Sequence, residues 1–225
     1  MRIIPASDSS LLVEFGNAIS PQLHGRVMAL FLALEEHHDP RIRNLHPGYG
    51  SLLIDFDPLQ LSHEELASIL EQAVADANDR PYFVARMVTL PVCYDPEFGL
   101  DLLELAQSAN LTVEQFASQH SLPLYRVYFL GFSPGFAYLG GLPEPLHAPR
   151  LATPRPRVAA GSVGIAGSQT GIYPVDSPGG WQIIARTPMR LFSPGATQPT
   201  LLQPSDLVRI FPIDRATFEE MSREQ

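Results

Sequence analysis

The chain has 225 residues, 45% of them hydrophobic, and 24 acidic side chains against 15 basic ones give a formal charge of −9. That length suits one large domain or two small ones with a packed core, and the acid excess argues against nucleic acid or an anionic membrane surface as a partner. No apolar run approaches the roughly 18 residues of a membrane span, and the N-terminus lacks a long apolar segment, so a cytoplasmic protein is expected.

In chain order, residues 11–15 (Leu-Leu-Val-Glu-Phe) read as a first strand. Ser20 is an N-cap and Pro21 the first helical residue. Leu23, Val27, Leu30, Phe31 and Leu34 then form one apolar stripe, which predicts a helix to about Glu36. His37, His38 and His46 have no carboxylate or cysteine at ligand spacing, so they read as a solvated helix end and no metal site is expected. Residues 42–45 and 51–56 pair as strands around Pro47-Gly48-Tyr49-Gly50. Ser62-His63-Glu64-Glu65 is a capping box, and Leu66, Ile69, Leu70, Ala73 and Ala77 give a second amphipathic helix. Residues 86–92 are strand-like. The order β-α-β-β-α-β predicts a small ferredoxin-like α/β domain over residues 1–85, with a boundary at Asn78-Asp79-Arg80-Pro81. This half carries no chemistry-bearing motif.

The second half, residues 86–225, has another pattern. Cys93 is the single cysteine, so no intrachain disulfide forms, and its apolar run reads as a buried structural thiol. Residues 101–108 and 112–119 are short helices, the second opened by a capping box at Thr112 and Gln115. Residues 125–130, 163–166, 171–173, 181–185 and 207–211 are short apolar strands between Gly/Pro turns, a β-barrel or sandwich pattern. Asp214 caps a last helix. The fold class is therefore α+β.

Residues 129–188 hold nearly all the candidate chemistry. Gly161, Gly164 and Gly167 match neither the dinucleotide fingerprint nor the P-loop, so they read first as turns. Ser133 precedes Pro134, which removes an N–H that an oxyanion hole would use, and a serine hydrolase is rejected. Arg150, Arg155, Arg157 and Arg186 suit either carboxylate and phosphate or surface ion pairs. Gln169, Thr170, Tyr173, Ser177 and Gln182 are polar groups beside turns, fit to orient a ligand. Trp181 reads as a packing residue, and His120 as a cationic cap at a helix C-terminus.

Four segments in this stretch, Gly131-Phe132-Ser133-Pro134-Gly135-Phe136-Ala137-Tyr138-Leu139, Ala160-Gly161-Ser162-Val163-Gly164-Ile165-Ala166-Gly167, Gln169-Thr170-Gly171-Ile172-Tyr173-Pro174 and Ser177-Pro178-Gly179-Gly180-Trp181-Gln182, resemble the signature of the PxpB/KipI family. That family, also called allophanate hydrolase subunit 1, contains the B subunit of bacterial 5-oxoprolinase. The resemblance implies a cyclophilin-like β-barrel over residues 86–225. It implies catalytic parts for His120, as a proton carrier, and for Arg155, Arg157 and Arg186. It also implies substrate or nucleotide contacts at Gly161, Ser162, Gly164, Gly167, Gln169, Thr170, Tyr173, Gly179, Gly180 and Gln182. The implied function is that of the B subunit in an ATP-dependent 5-oxoprolinase complex, inactive alone, working with A-type and C-type subunits on 5-oxo-L-proline. ATP, with Mg, would be its co-substrate, and no tightly bound cofactor is expected. A KipI-like inhibitor of a sensor histidine kinase carries the same signature and stays open as an alternative.

Overall fold

A computed structural model describes residues 1–78 and 85–224. The chain divides into two compact units, Met1–Val84 and Ala85–Gln225. Of the boundary expected at Asn78-Asp79-Arg80-Pro81, Asn78 ends the second helix and Asp79 to Pro81 lie outside the described residues.

In the first unit, β1 (Arg2–Ser7), β2 (Ser10–Glu14), β4 (Ser51–Phe56) and β3 (Ile42–Pro47) form an antiparallel sheet in the order β1-β2-β4-β3. Helices α1 (Pro21–His37) and α2 (His63–Asn78) supply the rest of the core. Alternation places Leu52, Ile54 and Phe56 of β4 and Leu11 and Val13 of β2 in that core, where Val27, Leu30, Leu66 and Leu70 meet them. The expected caps are present. Ser20 Oγ accepts the Leu23 amide at 3.1 Å, and Ser62 and Glu65 cap each other at 3.2 and 2.8 Å.

The path, however, is β-β-α-β-β-α and not the expected β-α-β-β-α-β. The extra strand is β1, a mostly exposed edge strand that contains Pro5. Proline is tolerated there because an edge strand leaves one row of N–H groups unpaired. The strand expected to complete this domain, β5 (Met87–Cys93), belongs to the second unit instead.

There, β5 joins β6 (Leu124–Leu130), β7 (Ala137–Gly140), β9 (Ser162–Ala166), β10 (Gln169–Ile172), β12 (Gln182–Arg186) and β13 (Leu207–Ile213). Among the described residues these seven strands close a barrel in the order β10-β7-β6-β13-β5-β12-β9. A two-stranded sheet of β8 (Arg155–Val158) and β11 (Ser177–Gly179) stands apart from the ring. Helices α3 (Leu102–Ser108), α4 (Val113–Ser121) and α5 (Arg215–Arg223) complete the unit. The core holds Val92, Tyr125, Val127, Leu139, Val163, Ile184 and Val208. Neighbouring Ile183 belongs to a second cluster with Phe136, Tyr173 and Trp181, as strand alternation requires.

The ring closes where β5 and β13 run parallel in unbroken register from Leu207↔Met87 to Ile213↔Cys93. Arg86 begins that ladder. Its Nε and Nη2 donate to the two carboxylate oxygens of Asp206 at 3.0 and 2.5 Å, and Nη2 also donates to Leu201 O at 2.7 Å. Asp206 is 3% exposed, so its charge depends on this fork and on the Gln203 amide. Arg86→Ala should therefore lower stability by about 1–2 kcal/mol, a figure discounted for the 44% exposure of the arginine side chain. Arg157→Ala, at a pair that is mostly in solvent, should change urea unfolding little. Equal effects of the two substitutions would contradict the clamp.

Candidate functional site

The candidate residues fall into three groups. The first is buried in the barrel. His120, at the end of α4, is fully enclosed, with Nδ1 2.7 Å from the Tyr94 hydroxyl and Nε2 3.0 Å from Thr170 Oγ1. The Thr170 hydroxyl donates its one proton to Gly164 O at 3.0 Å, so it accepts from Nε2–H. Nδ1 then accepts from Tyr94, a set of partners that a neutral ring satisfies completely. Burial lowers the His120 pKa to about 3. The expected cationic helix cap is thus absent, because among the described residues no acid offsets the desolvation of an imidazolium here. The Tyr125 hydroxyl takes the backbone carbonyl of His120 at 2.6 Å.

The second group gathers around Ala160, between β8 and the barrel strand β9. Arg157 donates to Asp176 at 2.9 and 2.5 Å, and the other carboxylate oxygen of Asp176 accepts the Ala160 amide. The Arg186 Nε–H donates to Ala160 O at 2.8 Å, and its guanidinium lies over the rings of Phe98 and Phe218. Gly161 sits beside it at φ +81°, where a Cβ would collide with the Thr187 carbonyl oxygen. The Gly161 and Ser162 amides donate to Tyr173 O and Ala159 O, so these N–H groups hold the barrel together.

The third group surrounds the β8–β11 sheet. Arg155 Nη2 donates to Asp101 Oδ1 at 2.5 Å, and Asp101 Oδ2 accepts the Ile183 amide at 2.6 Å. Tyr173 is buried against Phe136 and Trp181, and burial raises its phenol pKa. Gly179 has no room for a Cβ because the Tyr173 ring occupies that space, and Gly164 similarly faces Trp181 at 3.0 Å. Close packing explains these two glycines. Gly180 O accepts the Leu151 amide, while Gly167 is exposed at φ +58° with its amide on Ala148 O.

Two candidates stand apart. Gln182 Nε2 donates to Pro149 O at 3.1 Å beside a cleft of about 260 Å³ lined by Leu105, Phe116 and Leu146. Gln169 Nε2 is buried without a partner among the described residues. The segment after β6 also carries Phe132, 63% exposed and at φ +66°, held by a Ser133 N–H to Gly131 O bond of 2.7 Å. A large residue in that backbone region is strained, and such strain concentrates at working sites.

Asp101 and Asp176, which fix Arg155 and Arg157, escape the sequence reading. Asp101 stands where a helix N-cap would, yet it makes no side-chain cap bond. Its carboxylate is committed to Arg155 and Ile183. All fifteen basic residues are arginine, so guanidinium groups supply every side-chain cation other than histidine.

A closed seven-strand barrel in a chain of mixed α and β structure defines the class of protein. The chain belongs to the family of the carboxyltransferase domain, subdomain C and D, whose model matches residues 1–202. It is 39% identical over 227 residues to the B subunit of 5-oxoprolinase from Bacillus subtilis (strain 168), covering 96% of this chain and 95% of that protein. It is 42% identical over 215 residues to the B subunit of 5-oxoprolinase from Haemophilus influenzae (strain ATCC 51907 / DSM 11121 / KW20 / Rd), covering 93% and 96%. The crystal structure of TTHA0988 superposes with a TM-score of 0.81 at 39% identity over 91% of this chain, which spans 40% of the length of that one. No helix among the described residues is long and apolar enough to cross a membrane.

The His120 environment sets a pH dependence. Its folded pKa lies far below the usual 6.5, so the unfolded chain binds the extra proton between about pH 6.5 and 3. Stability from this group is complete above that window and falls as pH drops through it, with a slope of up to about 1.4 kcal/mol per pH unit. Nitrogen NMR should show His120 as the neutral Nε2–H tautomer at pH 5. A protonated ring at pH 5 in the folded chain would contradict the assignment.

Proposed function

We propose that this chain is the B-type subunit of an ATP-dependent 5-oxoprolinase, opening the lactam of 5-oxo-L-proline to give L-glutamate. The observation that carries the reading is identity of 39% and 42% to two proteins of that name, each covered over more than nine-tenths of its length. The cyclophilin-like form of the barrel belongs to the same reading, and the closed seven-strand ring supports it.

The chemistry asks for divided labour. A lactam is a poor electrophile, and phosphorylating its oxygen turns that oxygen into a good leaving group. Such a step needs positive charge around the transferring phosphoryl group and donors for the substrate carboxylate. This chain supplies guanidinium groups at Arg155 and Arg186 without a glycine-rich nucleotide loop. C-type and A-type subunits would complete the site and the hydrolysis, so the isolated chain is inactive in this account. ATP enters as a co-substrate. Among the described residues no three histidine, cysteine or carboxylate side chains gather as a metal shell does. No step is assigned to a magnesium ion on this chain.

Arg186 orients by geometry. Its Nε donates to Ala160 O, and the guanidinium carbon lies 5.7 and 6.0 Å from the ring centres of Phe98 and Phe218, contacts that restrict how the planar group can turn. Lysine has neither the Nε donor nor the plane.

The test is reconstitution with candidate A-type and C-type subunits, followed by 5-oxo-L-proline-dependent ATP cleavage. The expected result is activity in the complex and none in the single chain. Glutamate production by the pure chain, or an inert complex, would overturn the reading. Within an active complex, Arg186→Lys should lower kcat/KM by at least about tenfold, on the order of 1.4 kcal/mol, with partner binding retained. Unchanged kinetics would reduce Arg186 to a structural charge.

A further inference from the structure

The cleft of about 260 Å³ draws its lining from α3, α4, the segment 145–149 and Gln182. Leu105, Ala109, Phe116 and Leu146 are its apolar part. Phe116 and Leu146 are each 1% exposed, so core packing fixes them. The segment 145–149 is pinned as well. Ala148 and Gly167 exchange amide–carbonyl bonds of 3.3 and 2.7 Å, and the His147 amide closes a turn onto Glu144 O at 3.0 Å. The cleft is therefore preformed. Its volume lies below the roughly 300 Å³ at which pockets for drug-sized molecules begin, so it suits a single ring with a short substituent.

The polar lining residues share one property: they have turned protons inward. The Ser108 hydroxyl donates to Glu104 O at 2.8 Å, and Gln182 Nε2 donates to Pro149 O at 3.1 Å. His147 Nε2 stands 3.0 Å from Leu142 O, and a carbonyl only accepts, so that nitrogen carries the ring proton. What these residues still offer a guest is mostly acceptors: Ser108 Oγ, Gln182 Oε1, Nδ1 of the neutral His147 ring and the Glu104 carboxylate, against one remaining N–H of Gln182. Glu104 is exposed, and no hydrogen bond or ion pair engages its carboxylate among the described residues. Among the described lining residues it alone carries a formal charge at pH 7. An anion would meet bare oxygens and a like charge here. A cation with N–H donors would meet acceptors and an opposite charge.

We propose that this cleft binds a small organic cation, an ammonium group carried on an apolar ring. The ammonium donates to Glu104 and the neighbouring acceptors, and the ring rests on Leu105, Phe116 and Leu146. Carboxylate and phosphoryl groups are the wrong partners for it. The cleft is thus separate from the anion chemistry of the 5-oxoprolinase reading and does not rest on that reading.

The full chain is titrated by calorimetry at pH 7 with benzylamine, benzyl alcohol and benzoate, which share one ring and differ in charge. Saturable binding of benzylamine is expected, with benzyl alcohol at least about tenfold weaker and benzoate silent, because only the ammonium adds a charge-assisted bond. Glu104→Gln, at an exposed helix position, should raise the benzylamine Kd at least about tenfold and leave the melting temperature as it is. Glu220→Gln removes the same charge at an exposed position outside the cleft and should leave the Kd unchanged. Ser108→Leu fills the cleft from an exposed position and should abolish binding in a chain that melts as the wild type does. A flat benzylamine titration, or benzyl alcohol or benzoate bound as tightly as benzylamine, would overturn the site. So would an unaltered Kd in Glu104→Gln, an equal loss in Glu220→Gln, or undiminished binding in Ser108→Leu. Activity or inertness of the reconstituted complex bears on the functional reading alone.

Discussion

The parallel ladder between β5 and β13 is the constraint on which the second unit depends. It joins segments 120 residues apart at the Arg86–Asp206 clamp, and it turns a row of antiparallel strands into a ring. An open sheet would leave β5 and β13 with unpaired edges. Closure also explains why β5 is missing from the first unit's sheet. Its seven residues are already paired along one side with β13, and Cys93 at its end meets Arg186 of β12. That last pairing brings Arg186 beside Gly161 and Ala160.

From the ring outward, each site group is fixed by a commitment made elsewhere. The Asp101 carboxylate joins the start of α3 to β12 and to Arg155 at once. Asp176 ties Arg157 to the Ala160 amide, and Ala160 O in turn takes Arg186. His120 connects α4, Tyr94 just after β5, and β10 through neutral hydrogen bonds. Its closed set of partners gives it a part in positioning the strands that carry Thr170 and Gly164. Rigid supports of this kind are what hold a guanidinium in place for recognition of an anion.

Local signals were legible in the sequence and distant ones were not. The caps at Ser20, Ser62, Thr112 and Asp214 appear where the residue pattern puts them, because a cap is settled within four residues. β1 escaped because Pro5 and an exposed, non-alternating run weaken every strand signal. The partner of β5 escaped because no local pattern records a pairing across 120 residues. The site divides in the same way. Arg155, Arg157 and Arg186 stand out as residue types, but Asp101 reads as the opening of a helix. Glycine is ambiguous for a physical reason, since it admits a ligand or a neighbouring ring equally well. Trp181 and Tyr173 fill the space beside Gly164 and Gly179.

The account places the working surface on the barrel unit, at the strained Phe132 turn and the arginine-bearing segments from 150 to 186. Hydrogen exchange on the full chain, with and without its candidate partner subunits, tests that placement most directly. The predicted result is slowed exchange on complex formation in residues 131–136 and 150–186, with residues 1–78 unchanged. Protection confined to residues 1–78 would contradict it.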